Sequence, residues 1–203
     1  MSPTSRPPRG LSRALAVGER VFLRRLVPSD ESEYRELVRA SRSFHRRWSP
    51  RPPRGVDPAG EEMFQHALKV ARSKNGERML ICRRDDGAIL GSITLTNIVR
   101  GVFQSAFLGY WIGAPFKRQG YMTDALQLTL DHAFGPLNLH RVEANIRPEN
   151  TASIALVKRA GFRFEGLARR YLKIDGKWCD HEHWALVAEE RPRAARAKRR
   201  RKA

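Results

Sequence analysis

A chain of 203 residues with 41% apolar content supports one sizeable core with tails, and leaves too little for two full domains. No apolar run of about 18 residues is present to span a membrane, and no hydrophobic secretory segment opens the chain, so a soluble cytoplasmic protein is expected. Cys82 and Cys179 lie in unrelated segments, which argues against a disulfide framework or a thiolate metal cage. The formal charge is +18: residues 191–203 hold eight Lys and Arg and no acid, and a second acid-free tract, residues 39–54, includes Arg42, Arg46, Arg47 and Arg51. Such clusters favour polyanions through counterion release and point to a ribosome or RNA setting, the alternative being a solvated basic tail.

Residues 1–18 are rich in Pro, Arg and Ser, have no apolar period and are expected to form a disordered tail. R-V-F-L-R-R-L-V at 20–27 reads as the first strand. Pro28-Ser29-Asp30 supplies an N-cap for a helix to about residue 39, with Tyr34, Leu37 and Val38 at helical spacing. Pro and Arg break residues 41–60 into a long loop carrying Phe44 and Trp48, the expected substrate wall. Phe64, Ala67, Leu68 and Ala71 predict a helix over 61–73, ended at Asn75-Gly76. Strands follow at 78–83, 89–99 and 105–113, the first hairpin marked by Asp85-Asp86-Gly87. A helix over 120–134, a strand at 141–146 and a helix over 151–160, capped by Asn150 and closed by Gly161, come next. Strands at 162–174 and 177–188, joined at Asp175-Gly176, complete the domain, and residues 191–203 form a second disordered tail.

The turn Lys117-Arg118-Gln119-Gly120-Tyr121-Met122 carries the clearest chemistry. A helix entered through a glycine offers free backbone N–H groups and the positive end of its dipole, and Gly120, lacking a Cβ, lets an anion approach the main chain. That is a phosphate site, against the plainer reading of a structural cap. Cys179, His181 and His183 alternate onto one strand face, but no fourth ligand is evident and no metal is expected. Trp48, Trp111, Trp178 and Trp184 are read as core and cleft lining.

Residues 107–130, followed by R-V-E-A-N-I-R-P-E-N-T-A-S-I-A-L-V-K-R-A-G-F-R-F-E-G, resemble the acetyl-coenzyme A binding half of the GNAT N-acetyltransferases. Within that family the RimJ/RimL branch, which acetylates the N-termini of ribosomal proteins, is the best match. The signature Gln/Arg-x-x-Gly-x-Gly/Ala stands here as Lys117-x-x-Gly120-x-Met122; Lys117 keeps the positive charge, and Met122 replaces the small last residue. Asn150, Ala160-Gly161-Phe162 and Asp175-Gly176-Lys177-Trp178-Cys179-Asp180-His181 add to the likeness, which covers about residues 21–188. The N-terminal half matches by layout alone.

The resemblance implies an α/β (α+β) fold with a mixed, mostly antiparallel sheet of about seven strands flanked by helices, the acetyltransferase domain occupying residues 19–190. It implies acetyl-coenzyme A as co-substrate. Tyr110, Trp111 and Ile112 would hold the pantetheine arm on a strand splayed from its neighbour. Lys117, Arg118, Gln119, Gly120, Tyr121, Met122 and Thr123 would surround the pyrophosphate, with Asn150 and Ser153 on the facing helix. The Tyr110 backbone N–H would polarise the thioester carbonyl, as an oxyanion hole does. The glutamate that several relatives place five residues before the capping Asn is Asn145 here, and their tyrosine seven residues after it is Val157. Ser153 matches the serine that RimL-like enzymes keep in Asn-x-x-Ser and would be the general acid, and Glu143, Glu165 or Asp180, through water, are the candidates for the general base. The implied reaction is acetyl transfer to a protein N-terminal α-amine, a ribosomal protein in this branch. A small amine such as a polyamine or an aminoglycoside is the alternative acceptor, and a catalytically weak ribosome- or RNA-binding protein the alternative of another class.

Overall fold

Strands at Ala14–Val17 (β1), Val21–Arg25 (β2), Glu77–Arg83 (β3), Ile89–Val99 (β4), Ser105–Ile112 (β5), Arg141–Ile146 (β6), Arg163–Ile174 (β7) and Lys177–Val187 (β8) form one sheet. They do so in a computed structural model that describes residues 7–50, 52, 55–71 and 73–191. The strand order is β1-β2-β3-β4-β5-β6-β8-β7, and every neighbouring pair is antiparallel except β5 and β6. Four α-helices flank it: Glu31–His45 (α1), Glu61–Ala71 (α2), Tyr121–Phe134 (α3) and Thr151–Ala160 (α4). Among the described residues, no helix is long and apolar enough to cross a membrane.

The inner strands read as nearly continuous apolar runs because both faces are covered. Val21, Leu23, Met79, Ile81, Ile93 and Leu95 pack on one face under Leu126 and Leu130 of α3 and Val157 of α4. The residues between them, Phe22, Leu80 and Cys82, pack on the other face under Tyr34 and Leu37 of α1 and Phe64 and Leu68 of α2. Full burial of each such side chain contributes about 1.5–3 kcal/mol, so this two-sided burial fixes the register of the sheet.

Four expectations are corrected. Residues 14–17, read as part of a disordered tail, form β1, the eighth strand where about seven were expected. Leu15 and Ala16 pack on the α3 face, Leu11 and Ala14 on the α1 face, and Arg9 bonds Asp30 and Glu33, each at 3.0 Å. α1 runs to His45 instead of ending near residue 39. No proline interrupts it, its last turn carries Arg42 and His45 at the negative end of the dipole, and the buried Ser41 hydroxyl accepts the Ala114 N–H at 2.9 Å. Asp30 does not cap α1 with its side chain: the carboxylate takes both arms of buried Arg24 at 2.7 and 2.8 Å and the Val27 N–H at 2.9 Å. Of the C-terminal tail, Arg191 is buried, bonding Asp131 at 2.9 Å and the Gln127 carbonyl at 3.0 Å. Residues 1–6 and 192–203, where the other tail expectations fall, lie outside the described residues.

The feature that positions the site is a split. β5 and β6 pair in parallel only through Ser105, Ala106 and Phe107, opposite Arg141, Val142 and Glu143. Beyond Phe107, β5 stays with β4 and β6 stays with β8, so a gap opens between them.

Candidate active site

One wall of the gap is the backbone of β5. The Gly113 N–H donates to Leu90 O at 2.7 Å, and in an antiparallel ladder alternate residues face the same neighbour. The amides of Trp111 and Gly109 therefore point to β4, and those of Tyr110 and Ile112 point into the gap. The Ile112 carbonyl, on the gap side, accepts from His45 Nε2 at 2.8 Å, an arrangement that fixes the tautomer with its proton on Nε2. Burial pushes the His45 pKa down, against the raising effect of that bond, so the ring is neutral. Trp111 turns to the opposite face of the sheet from Tyr110 and meets His45 edge-on at 5.4 Å.

At the end of β5 the chain folds into the basic turn. Arg118 has φ 61° and Gly120 φ 82°, both left-handed, and Gly120 is the N-cap of α3. Such left-handed steps curl main-chain N–H groups toward one point, as in anion-binding nests. Thr123 and Asp124 N–H both go to Gly120 O, at 3.0 and 3.3 Å, and the amides of Tyr121 and Met122 are the first-turn donors without an intrahelical acceptor. The turn is braced by a residue that sequence reasoning passed over. Arg20 Nε bonds Asp124 at 2.7 Å, its NH1 bonds Gln119 O at 3.0 Å, and its guanidinium lies over the Tyr121 ring at 5.5 Å. Nothing local in the sequence marks Arg20, because its partners are about a hundred positions away.

The other wall is α4 and β6. The Asn150 side chain accepts the Ser153 N–H at 3.3 Å, which presents the first turn of α4 to the gap. The Ser153 hydroxyl lies beside that of Tyr110, whose oxygen is buried and makes no well-formed hydrogen bond. Burial pushes the Tyr110 pKa up to about 12, outweighing the contact with Ser153, so the phenol stays protonated. Two hydroxyls thus stand where the sequence offered Ser153 alone together with a backbone role for Tyr110.

The three carboxylates put forward as bases are each engaged elsewhere. Arg141 holds Glu143 at 3.1 Å and grips Glu165 through two bonds, one of them at 2.9 Å. That grip keeps the Glu165 carboxyl below the usual carboxylate range, the opposite of what a base requires. Glu143 sits opposite Phe107, the last paired position before the gap. Asp180 accepts the Arg170 N–H at 2.7 Å and steadies a bulge in β7, where Arg170 adopts φ 50°.

In their place the fold assembles Asn145, Tyr171 and His183. Asn145 and His183 are cross-strand partners, so their side chains share the face of the sheet covered by α1 and α2. Asn145 Nδ2 points to the Tyr171 hydroxyl at 3.5 Å, and the Tyr171 ring packs edge-on against His183 at 4.9 Å. Asn145 Oδ1 and His183 Nε2 are both buried without a partner. Buried polar atoms are almost always satisfied, so two orphans in one cluster mark a place for a water or an incoming amine. His181, by contrast, is tied to the Cys179 carbonyl at 3.0 Å, and among the described residues no group of three His, Cys, Asp or Glu could hold a metal ion. Across the mouth, Arg147 donates to the Arg47 carbonyl at 3.0 Å and lies 5.9 Å from the Trp48 ring. The connection after α1 thereby stands against the connection after β6.

Comparison with known proteins adds the chemistry. Residues 20–163 match the family described as acetyltransferase (GNAT) domain. The Bacillus subtilis protein named "Probable N-acetyltransferase YjcK" is 31% identical over 173 residues, 84% of this chain and 95% of its own. The [Ribosomal protein uS5]-alanine N-acetyltransferase of Escherichia coli is 39% identical over 106 residues, 52% of this chain and 55% of that enzyme. The solved structure of Mycobacterium smegmatis RimJ in complex with CoA-disulfide superposes with a TM-score of 0.79 at 35% identity, covering 86% of this chain and 85% of that one. A gap between β5 and β6, a left-handed turn with free amides and an Asn-capped helix facing it agree with these likenesses: the chain belongs to the GNAT acetyltransferase family and is an acetyl-coenzyme A-dependent N-acetyltransferase of the RimJ/RimL type.

Proposed function

We propose that this enzyme acetylates the N-terminal α-amine of a protein, a ribosomal protein, in the cytoplasm. The observation that carries the reading is the split beyond Phe107, which exposes the Tyr110 N–H to the acceptor side of the sheet, beside a loop rich in arginine. A polyamine would call for carboxylates at such a mouth. The likeness to the Escherichia coli uS5-alanine enzyme supports a ribosomal acceptor.

When bound, acetyl-coenzyme A supplies the acetyl group as a thioester. Lys117, Arg118, Gln119, Gly120, Tyr121, Met122 and Thr123 would enclose its pyrophosphate, with the amides of Tyr121 and Met122 available to donate to it. Tyr110 and Ile112, whose amides point into the gap, would hold the arm through the main chain, the Trp111 amide being turned to β4, and the Tyr110 N–H would face the carbonyl oxygen as charge grows there. Asn150 fixes Ser153, and the Ser153 and Tyr110 hydroxyls donate to the departing sulfur. His183, through a water, takes the proton that the α-amine loses. Positioning supplies most of the remaining rate, because an α-amine with a pKa of about 8 is already partly unprotonated at neutral pH.

The test is thiol release from acetyl-coenzyme A with a panel of ribosomal-protein N-terminal peptides, the products read by mass spectrometry. Acetylation at the α-nitrogen of at least one peptide is expected. No turnover with any peptide, together with salt-sensitive RNA binding, would sink the reading.

A further inference from the structure

A cavity of about 690 Å3 opens on the α1 and α2 side of the sheet, with Trp111 among its lining residues. Trp111 follows Tyr110, so the residue that lines the cavity is the chain neighbour of the one whose amide faces the gap. Arg42, Arg46, Arg78, His45 and His66 line it, and among the described lining residues there is no Asp or Glu.

These arginines are poorly neutralised. Arg42 has Asp57 at 3.8 Å, with both side chains more than half exposed. Among the described residues no acid lies within salt-bridge distance of Arg46 or Arg78. The Arg78 guanidinium meets the Tyr34 hydroxyl at 3.3 Å, and its Nε is buried without a partner. The contrast with the rest of the molecule is informative. Buried Arg24 faces Asp30 and buried Arg191 faces Asp131, as the cost of sequestering a cation requires. Arg78 carries a cation into a cavity wall and, among the described residues, its one side-chain partner is the neutral Tyr34 hydroxyl.

We infer that the cavity takes an acidic side chain of the acceptor, an aspartate or glutamate within the first few residues after the acetylated amine, with Arg78 as its anchor and Arg42 and Arg46 at its rim. The inference rests on the proposed N-terminal acetylation and names the substrate class of that same site. A peptide whose amine reaches the carbonyl at Tyr110 lays its next residues over Trp111 and into the cavity, where a carboxylate matches the planar fork of a guanidinium.

The experiment uses the full chain and three peptides that share an N-terminal residue and carry Asp, Asn or Lys at positions 2 to 4. kcat/KM is measured for the wild type, Arg78→Gln and Arg78→Lys. A hydrogen bond to a charged group contributes about 1.5–3 kcal/mol, so the Asp peptide should exceed the Asn peptide by at least about tenfold. Arg78→Gln should bring that ratio close to one, and Arg78→Lys should keep part of it; residual turnover of the Asn peptide reports that each variant is folded. Equal turnover of the Asp and Asn peptides by the wild type, or an unchanged ratio in Arg78→Gln, overturns the inference and leaves the proposed function standing. RNA binding that disappears in Arg78→Gln would assign the cavity to phosphate and overturn it too. No turnover with any peptide sinks the proposed function and this inference together.

Discussion

Gly120→Ala is the sharpest probe of the turn, because the structure says what the added methyl meets. Gly120 has φ +82°, and a Cβ built there lies 2.7 Å from Arg20 NH2 and 3.4 Å from NH1. A non-glycine residue in this left-handed region costs about 1–2 kcal/mol. The guanidinium must also withdraw, loosening its bonds to Gln119 O and Asp124; those groups are solvent-exposed, so the loss adds only about 0–1 kcal/mol. The sum, about 1–3 kcal/mol, corresponds to a fall in Tm of roughly 2–12 °C for a chain of this size. On the proposed assignment of the turn to pyrophosphate, affinity for coenzyme A should fall by at least about tenfold, because the Tyr121 and Met122 amides that would receive the phosphate directly follow the altered residue. Thermal unfolding gives the first quantity and titration calorimetry the second. Arg20→Ala removes the clashing group, so the double variant should be less destabilised than the two single effects added together. Unchanged affinity for coenzyme A in Gly120→Ala would refute the assignment of the turn, and strict additivity would refute the role given to Arg20.

Three further outcomes are expected. His183→Gln should lower kcat/KM by about 10²-fold or more, because this ring is the proposed proton acceptor in place of the three engaged carboxylates; a kcat/KM within a few-fold of the wild type would exclude it. Burial alone pushes the Asp30 carboxyl up, but the bonds from Arg24, Val27 N–H and Arg9 outweigh it and hold its pKa below the ordinary value of about 3.9. Its stabilisation is therefore complete above about pH 4 and lost as the pH falls through the lowered folded value, a loss that Asp30→Asn should abolish while destabilising the protein by about 3–5 kcal/mol at neutral pH, since Arg24 is left buried and unpaired. Deleting residues 192–203, which hold seven Lys and Arg, should weaken polyanion binding in a filter assay and leave peptide turnover unaltered; a collapse of turnover on free peptide would show that the tail serves the site.

Much of the donor side was legible because its signals are local. A glycine at a helix start, an Asn one position before another helix and the periodicity of the segments between them all fall within residues 107–161, and their neighbours in sequence are their neighbours in space. β1 was not legible for the opposite reason. Four residues with one β-branched side chain carry almost no periodic signal, and what makes them a strand is the row of backbone groups that β2 offers. The length of α1 was misjudged by weighing arginine content over the position of the first proline, Pro50, although arginine is a good helix former.

The acceptor side shows the limit most clearly. His45 comes from α1, Arg78 from β3, Trp111 from β5 and His183 from β8, and no spacing in the chain relates them; only the strand order brings them to one face. The same topology gives two of the carboxylates a partner. Glu143 and Arg141 share a strand face and were a readable pair, but Glu165 reaches Arg141 from β7, two strands away across β8. Arg141 is paired with both acids, so neither is without a partner, and we place the proton acceptor on a group of another kind. The buried ring nitrogen of His183, without a hydrogen-bond partner among the described residues, is the group we place in that role, and His183 is the cross-strand neighbour of Asn145 in register. A substitution at one position of such a pair changes what its partner must do, which is why the proton acceptor cannot be carried over from relatives by position alone.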